Sequence, residues 1–257
     1  MGIIVEQTPL IPPAVHRLGD DMVNFYLVEE PEGLVLVDGG LPTHWGELCD
    51  HLADIGAVPG DIKAVLLTHA HPDHLGLAAR VRREAGAAVW IHSAEAATLA
   101  AANPARAGAS TERSMARYLM RRPASMGLVV HLARSGAFRP APVSDPEVFE
   151  SPATLTRVPG TPEAVPIPGH TPGSTAYVFR HHGVIFTGDA LVSYDGLTGH
   201  RGPRLVCRGF THDGASALAS LDTLAGIGSD LTVLPGHGDP MAELSPAVEE
   251  ARRVGIS

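Results

Sequence analysis

The chain has 257 residues, 44% of them hydrophobic and 18% charged, values of a folded globular chain that exclude wholesale disorder. Its net charge of −9 disfavours generic binding to nucleic acid or to an anionic membrane. Two cysteines, Cys49 and Cys207, exclude a disulfide scaffold and a cysteine-based zinc site and suit a reducing compartment.

The first fifteen residues lack a charged segment followed by an apolar one, and no run approaches the roughly 18 apolar residues of a membrane span. The expectation is a cytoplasmic protein forming a single domain over 1–257, large enough to bury a core without disulfides. Lys63 is the one lysine among 19 basic residues. Arginine usage therefore reflects composition and does not by itself indicate recognition.

In chain order, aliphatic runs at 2–6, 23–28 and 34–38 predict strands, the last closed by Asp38-Gly39-Gly40. Trp45, Leu48, Leu52 and Ile55 share one face of a helix starting at 43 or 44. An apolar strand over 64–67 leads into Thr68-His69-Ala70-His71-Pro72-Asp73-His74. Helical spacing resumes over 74–85, a strand follows over 88–91, and Ser93 caps a short helix.

Residues 96–140 carry seven arginines against one acid, Glu112, a net +6 that leaves −15 on the rest of the chain. Arg113, Arg117 and Arg121 fall at i, i+4 and i+8, while Met115, Leu119, Met126, Val129, Val130 and Phe138 supply an apolar side. Two amphipathic helices are expected, broken at Pro123 and ending near Gly136. A proline-rich return loop spans 140–162. Strands follow at 164–167, 175–180 and 184–187, the last two joined through His181-His182-Gly183. A Gly/Arg-rich loop over 193–210 precedes a helix from 213 to 225 and a strand over 231–234.

The chemistry concentrates at strand ends. His69-x-His71-x-Asp73-His74 offers imidazole nitrogen and carboxylate oxygen, the donors of catalytic zinc that also suit iron and manganese. Gly169-His170-Thr171-Pro172-Gly173-Ser174, Thr187-Gly188-Asp189-Ala190 and Pro235-Gly236-His237-Gly238 each place one more such donor just after a strand. Seven potential ligands thus occupy equivalent positions: His69, His71, Asp73, His74, His170, Asp189 and His237.

Together with Asp38 in Val37-Asp38-Gly39-Gly40, these motifs resemble the metallo-β-lactamase superfamily of metallohydrolases over about residues 15–240. The resemblance implies an α/β fold, an αββα four-layer sandwich with 96–140 as a helical insertion between the second and third metal motifs. It also implies two divalent ions per chain at one edge, zinc in the first instance, with manganese or iron as alternatives. His69, His71 and His170 would hold the first ion and Asp73, His74 and His237 the second, with Asp189 bridging and Asp38 orienting the ligand loop. Asp73 would in addition accept the proton of the nucleophile, a metal-bridging hydroxide attacking a carbonyl carbon.

The branch is narrowed by differences. Secreted β-lactamases of this fold generally carry cysteine or serine near Asp189, and hydroxyacylglutathione hydrolases append a helical domain after the last histidine motif. Acyl-homoserine lactonases have a tyrosine three residues after the aspartate, where Val192 stands here, with Tyr194 two further on. The reading is a glyoxalase II-like or lactonase-like hydrolase of a small ester, thioester or lactone. The alternative is a mononuclear iron oxygenase resembling the persulfide dioxygenases. The expected partner is a small-molecule substrate, with neither nucleic acid nor membrane, and a homodimer is possible. The 96–140 helices are read either as a lid whose arginines attract an anion or as a solvated face or dimer contact. His200, Arg201 and Tyr194 are left as open candidates for substrate contact.

Overall fold

The computed structural model describes residues 10–101, 111–228 and 230–257. The strand expected at 2–6 and Arg106 lie outside the described residues.

A six-stranded sheet runs in the order β1 (Val15–Gly19), β2 (Asn24–Glu30), β3 (Gly33–Val37), β4 (Ile62–Leu66), β5 (Ala88–His92) and β6 (Glu147–Phe149). Its first three strands pair antiparallel and the rest parallel. The second sheet has the order β13 (Thr232–Pro235), β10 (Val184–Gly188), β9 (Thr175–Phe179), β8 (Glu163–Pro166) and β7 (Ala153–Thr154). A small ribbon of β11 (Val192–Tyr194) and β12 (Arg201–Arg204) follows β10.

Alternation along the strands sorts side chains into layers. Val35, Val37, Ala64 and Leu66 of the first sheet meet Tyr177, Phe179, Phe186 and Leu234 of the second in the central core. Their neighbours Leu36, Val65 and Leu67 face outward against Leu48 and Leu52 of helix α1 (Trp45–Asp54) and Val81 of α2 (Ala78–Ala85), with Leu99 of α3 (Ser93–Ala101) joining them. On the far side Val178, Ile185 and Val233 pack against Leu221 and Leu224 of α6 (Gly214–Ile227) and Val248 of α7 (Leu244–Val254). Helix, sheet, sheet, helix: this is the four-layer α/β sandwich that the motifs implied. No helix among the described residues is long and apolar enough to cross a membrane.

One helical expectation is corrected and one helix was missed. The helix read from 74 begins only at Ala78, because the backbone of 74–77 bonds elsewhere. Gly39 N donates to His74 O, Gly76 N to Gly40 O, and Leu77 N to Gly39 O, tying the ligand loop to the Asp38 turn. Helix α7 was not anticipated, although Leu244, Ala247, Val248 and Ala251 lie buried at i, i+3, i+4 and i+7. The return loop also hides β6 and β7, and β1, β11 and β12 were unforeseen.

The insertion forms α4 (Met115–Arg121), capped by Ser114, and α5 (Met126–Arg134), with a 3-10 turn at Pro123–Ser125 between them. Proline at the first position of that turn breaks the helix as expected.

Candidate metal centre

Strand direction brings the motifs to one rim. Asp38 follows β3, His69 to His74 follow β4, His170 precedes β9, Asp189 follows β10, and His237 follows β13. Asp38 adopts a left-handed conformation, φ 58°, which turns its carboxylate back under the histidine loop. There Oδ1 accepts from Thr68 N at 2.8 Å, Oδ2 accepts from Thr68 Oγ1 at 2.9 Å, and Oδ2 accepts from His74 Nδ1 at 2.9 Å.

With the Thr68 proton committed to Asp38, His69 Nδ1 donates to Thr68 Oγ1 at 3.0 Å. His237 Nδ1 donates to the Met22 carbonyl. Each of these three rings is thereby oriented from behind, with Nε2 turned to the centre. Glycine makes the approach possible at two points. A Cβ on Gly236 would stand 2.4 Å from Asp189 Oδ1, and one on Gly188 would stand 2.4 Å from Thr68 Oγ1.

Two ligand groups result. His69, His71, His170 and Asp189 place one donor atom each within 4.8 Å of one another, and so do Asp73, His74 and His237. Asp189 touches both groups. Its Oδ2 lies 3.5 Å from His170 Nε2 and 3.1 Å from His237 Nε2, and its Oδ1 lies 3.4 Å from His74 Nε2. His237 Nε2 is also 3.5 Å from Asp73 Oδ2.

The donor set fits divalent cations. His69 Nε2, His74 Nε2 and Asp189 Oδ1 are buried without a hydrogen bond of good geometry, unmet polar atoms converging on one place that a bound cation would satisfy. Burial, followed by the neighbouring histidines, holds His69 well below the ordinary imidazole range, and burial does the same to His170 and lowers His71. For His74, burial is outweighed by Asp38, Asp189 and Asp73, which push it well above that range. For His237, burial is outweighed by Asp189, giving about 9. Burial would raise Asp189, but His237 and His74 hold it well below the carboxylate range. A bound cation would take over the role of the protons held on His74 and His237.

A sequence model of the metallo-β-lactamase superfamily matches residues 18–237. The chain belongs to this superfamily. It is 30% identical over 243 residues to the probable metallo-hydrolase YflN of Bacillus subtilis, covering 88% of this chain and 84% of that one. It is 26% identical over 180 residues to the hydroxyacylglutathione hydrolase GloC of Haemophilus influenzae, covering 69% of each. The crystal structure of the metallo-β-lactamase family protein TTHA1429 from Thermus thermophilus superposes with a TM-score of 0.66 at 27% identity, over 94% of this chain and 79% of that one.

This superfamily member carries a cavity of about 530 Å³ directly on the two ligand groups, within the range of small-ligand sites. His71, Asp73, Asp189 and His237 form its floor. Met115, Leu128, Leu132 and Phe138 of the insertion meet Val206 and Phe210 around it. Met115 and Phe138, placed by sequence on the apolar side of the insertion, are 36% and 46% exposed and line the cavity. Arg113, Arg117 and Arg121 are exposed and do not line it. Tyr194 lines the cavity and is stacked under the Arg201 guanidinium, 4.9 Å from its ring centroid. His200 is exposed.

One residue was missed. Glu95, on α3 and 4% exposed, accepts from Ala70 N at 3.2 Å through Oε2 and from Gly173 N at 2.8 Å through Oε1. It joins the loop bearing His69 and His71 to the loop bearing His170. Its only sequence signal was an acid in the first turn of a short helix.

Proposed function

We propose that the chain is a dinuclear metal-dependent hydrolase that cleaves thioesters, lactones or activated esters carrying an uncharged, apolar acyl group. The observation that carries this reading is Asp189, one carboxylate in reach of both histidine groups. Divalent cations on these ligands would lower the pKa of a water towards neutrality and polarise a carbonyl. His69, His71 and His170 with Asp189 would hold one ion, and Asp73, His74 and His237 with Asp189 the other.

The chain's own residues set the selectivity. Asp73 is half-buried on the cavity floor, where it is placed to accept the proton released when the nucleophile forms. Among the described residues lining the cavity there is neither lysine nor arginine, while Asp73, Asp189 and Asp195 are present. A substrate carboxylate, as in penicillins or the glutathione moiety, finds no lysine or arginine there, whereas Met22, Met115, Leu128, Phe138 and Phe210 favour an apolar group.

Thiolates and strained alkoxides, which depart with little protonation, are also favoured over a leaving nitrogen, whose proton would have to be returned from Asp73 on the cavity floor. In a side-by-side kinetic panel with zinc- and manganese-loaded protein, neutral thioesters and lactones should exceed penicillins at least about tenfold in kcat/KM, roughly 1.4 kcal/mol in barrier. Efficient β-lactam turnover with negligible thioester and lactone cleavage would overturn the assignment.

The insertion supports a lid role through Phe138 and Met115. Phe138→Ala should raise KM for an apolar thioester several-fold, about 1 kcal/mol, with metal content unchanged, while Arg117→Ala should leave both constants as they are. A mononuclear iron oxygenase, the alternative from sequence, would leave one of the two donor groups without an ion. Counting metal per chain separates the two.

A further inference from the structure

The geometry points to another cation site, remote from the candidate centre, in which Glu30, His181 and His182 take one transition-metal dication of the zinc, nickel or copper class. Glu30 ends β2 and pairs with Gly33 at the start of β3, whereas Asp38 follows the end of β3. His181 and His182 lie in the turn between β9 and β10, whereas Asp189 follows the end of β10. The three side chains therefore meet at the opposite end of the sandwich from the catalytic rim.

His181 Nε2 lies 2.8 Å and His182 Nε2 3.0 Å from the same oxygen, Glu30 Oε1. Their donor atoms fall within the same 4.8 Å span as those of each group at the rim. The spacing of 2.8–3.0 Å also matches the pairs inside the principal site, such as His170 Nε2 to His71 Nδ1 at 2.9 Å and His237 Nε2 to Asp189 Oδ2 at 3.1 Å.

The carboxylate is built in. The Glu30 side chain is 4% exposed, and it fits because residue 160 is glycine: a Cβ there would stand 2.2 Å from Glu30 Oε1. A carboxylate so deeply placed requires compensating positive charge. Among the described residues its ion-pair partners are these two histidines and no arginine or lysine. Two imidazoles and one carboxylate form a three-donor set that suits zinc, copper or nickel and leaves further positions to water. Because Glu30 belongs to one sheet and the histidines to the other, an ion here would link the two sheets.

The test uses full-length, tag-free protein stripped with chelator and titrated with Ni²⁺, bound metal being counted after desalting. Wild type should hold one equivalent more than the His181→Ala/His182→Ala double variant, with equal turnover after zinc loading. The affinity of that additional equivalent should fall at least about tenfold in His182→Ala. Ions at the rim cancel in the difference, so the outcome is independent of the dinuclear reading. Glu30→Gln should also lose the equivalent, and should it fail to fold, His181→Ala, whose side chain is 47% exposed, decides alone. Equal nickel content and equal affinity in wild type and the histidine variants would overturn the site.

Discussion

Asp189→Asn should reduce bound metal from two ions per chain towards one and lower kcat/KM at least about a hundredfold, roughly 2.7 kcal/mol in barrier. The expectation follows from position. Asp189 is buried, and its two oxygens face His74 on one side and His170 with His237 on the other. Asparagine keeps the volume but replaces an anionic oxygen with an N–H₂ donor. That donor points at nitrogens that need an acceptor or a cation, so one ion loses its charge partner. The folded state should persist, since the layers on both sides are packed independently of this side chain. Elemental analysis with circular dichroism as the control gives the readout. A single ion per chain, held equally by wild type and variant, would overturn the dinuclear reading.

Glu95→Gln should weaken metal retention by about 10- to 100-fold, the range found when groups supporting metal ligands are removed, although Glu95 is not placed among the ligands. Its two oxygens each accept a backbone N–H, from Ala70 and Gly173. Glutamine offers one acceptor and turns an N–H₂ towards the other amide, leaving a buried donor unpaired at a cost of about 1–3 kcal/mol. The loops carrying His71 and His170 would then lose their shared anchor. A zinc-chelator competition separates this from general destabilisation: a residue serving stability alone would lower the urea midpoint and leave metal affinity unchanged. Glu95→Ala, which removes both acceptors, should weaken retention further.

What was legible in the sequence followed from locality. Each ligand motif is a few residues long and sits at the end of an apolar strand, so residue types and order reveal it without knowledge of distant contacts. Asp38 was legible only through the resemblance that its Val37-Asp38-Gly39-Gly40 motif helps to carry. Glu95 was not, because its meaning arises from two loops far away in sequence that converge on α3. The helix start at 74 misled because spacing alone does not register that His74 O, Gly76 N and Leu77 N pair with Gly39 and Gly40. The arginines of the insertion could be read as a helical stripe, but only the packed chain reveals that the stripe faces solvent while Met115 and Phe138 face the cavity.

The donors of the candidate centre are shared between the halves of the sandwich, His69 to His74 from one sheet and His170, Asp189 and His237 from the other. Neither half can build the centre alone, and its last donor arrives only with the final strand. A cation would therefore find its complete seat only after both sheets, up to the strand that precedes His237, have formed, and either half by itself would offer at most a looser foothold. Prying the sheets apart would mean surrendering any cation bound between them, so metal supply and resistance to unfolding would become linked quantities. Removing metal should therefore lower the unfolding midpoint along with activity, while the packed core between the sheets keeps the fold itself.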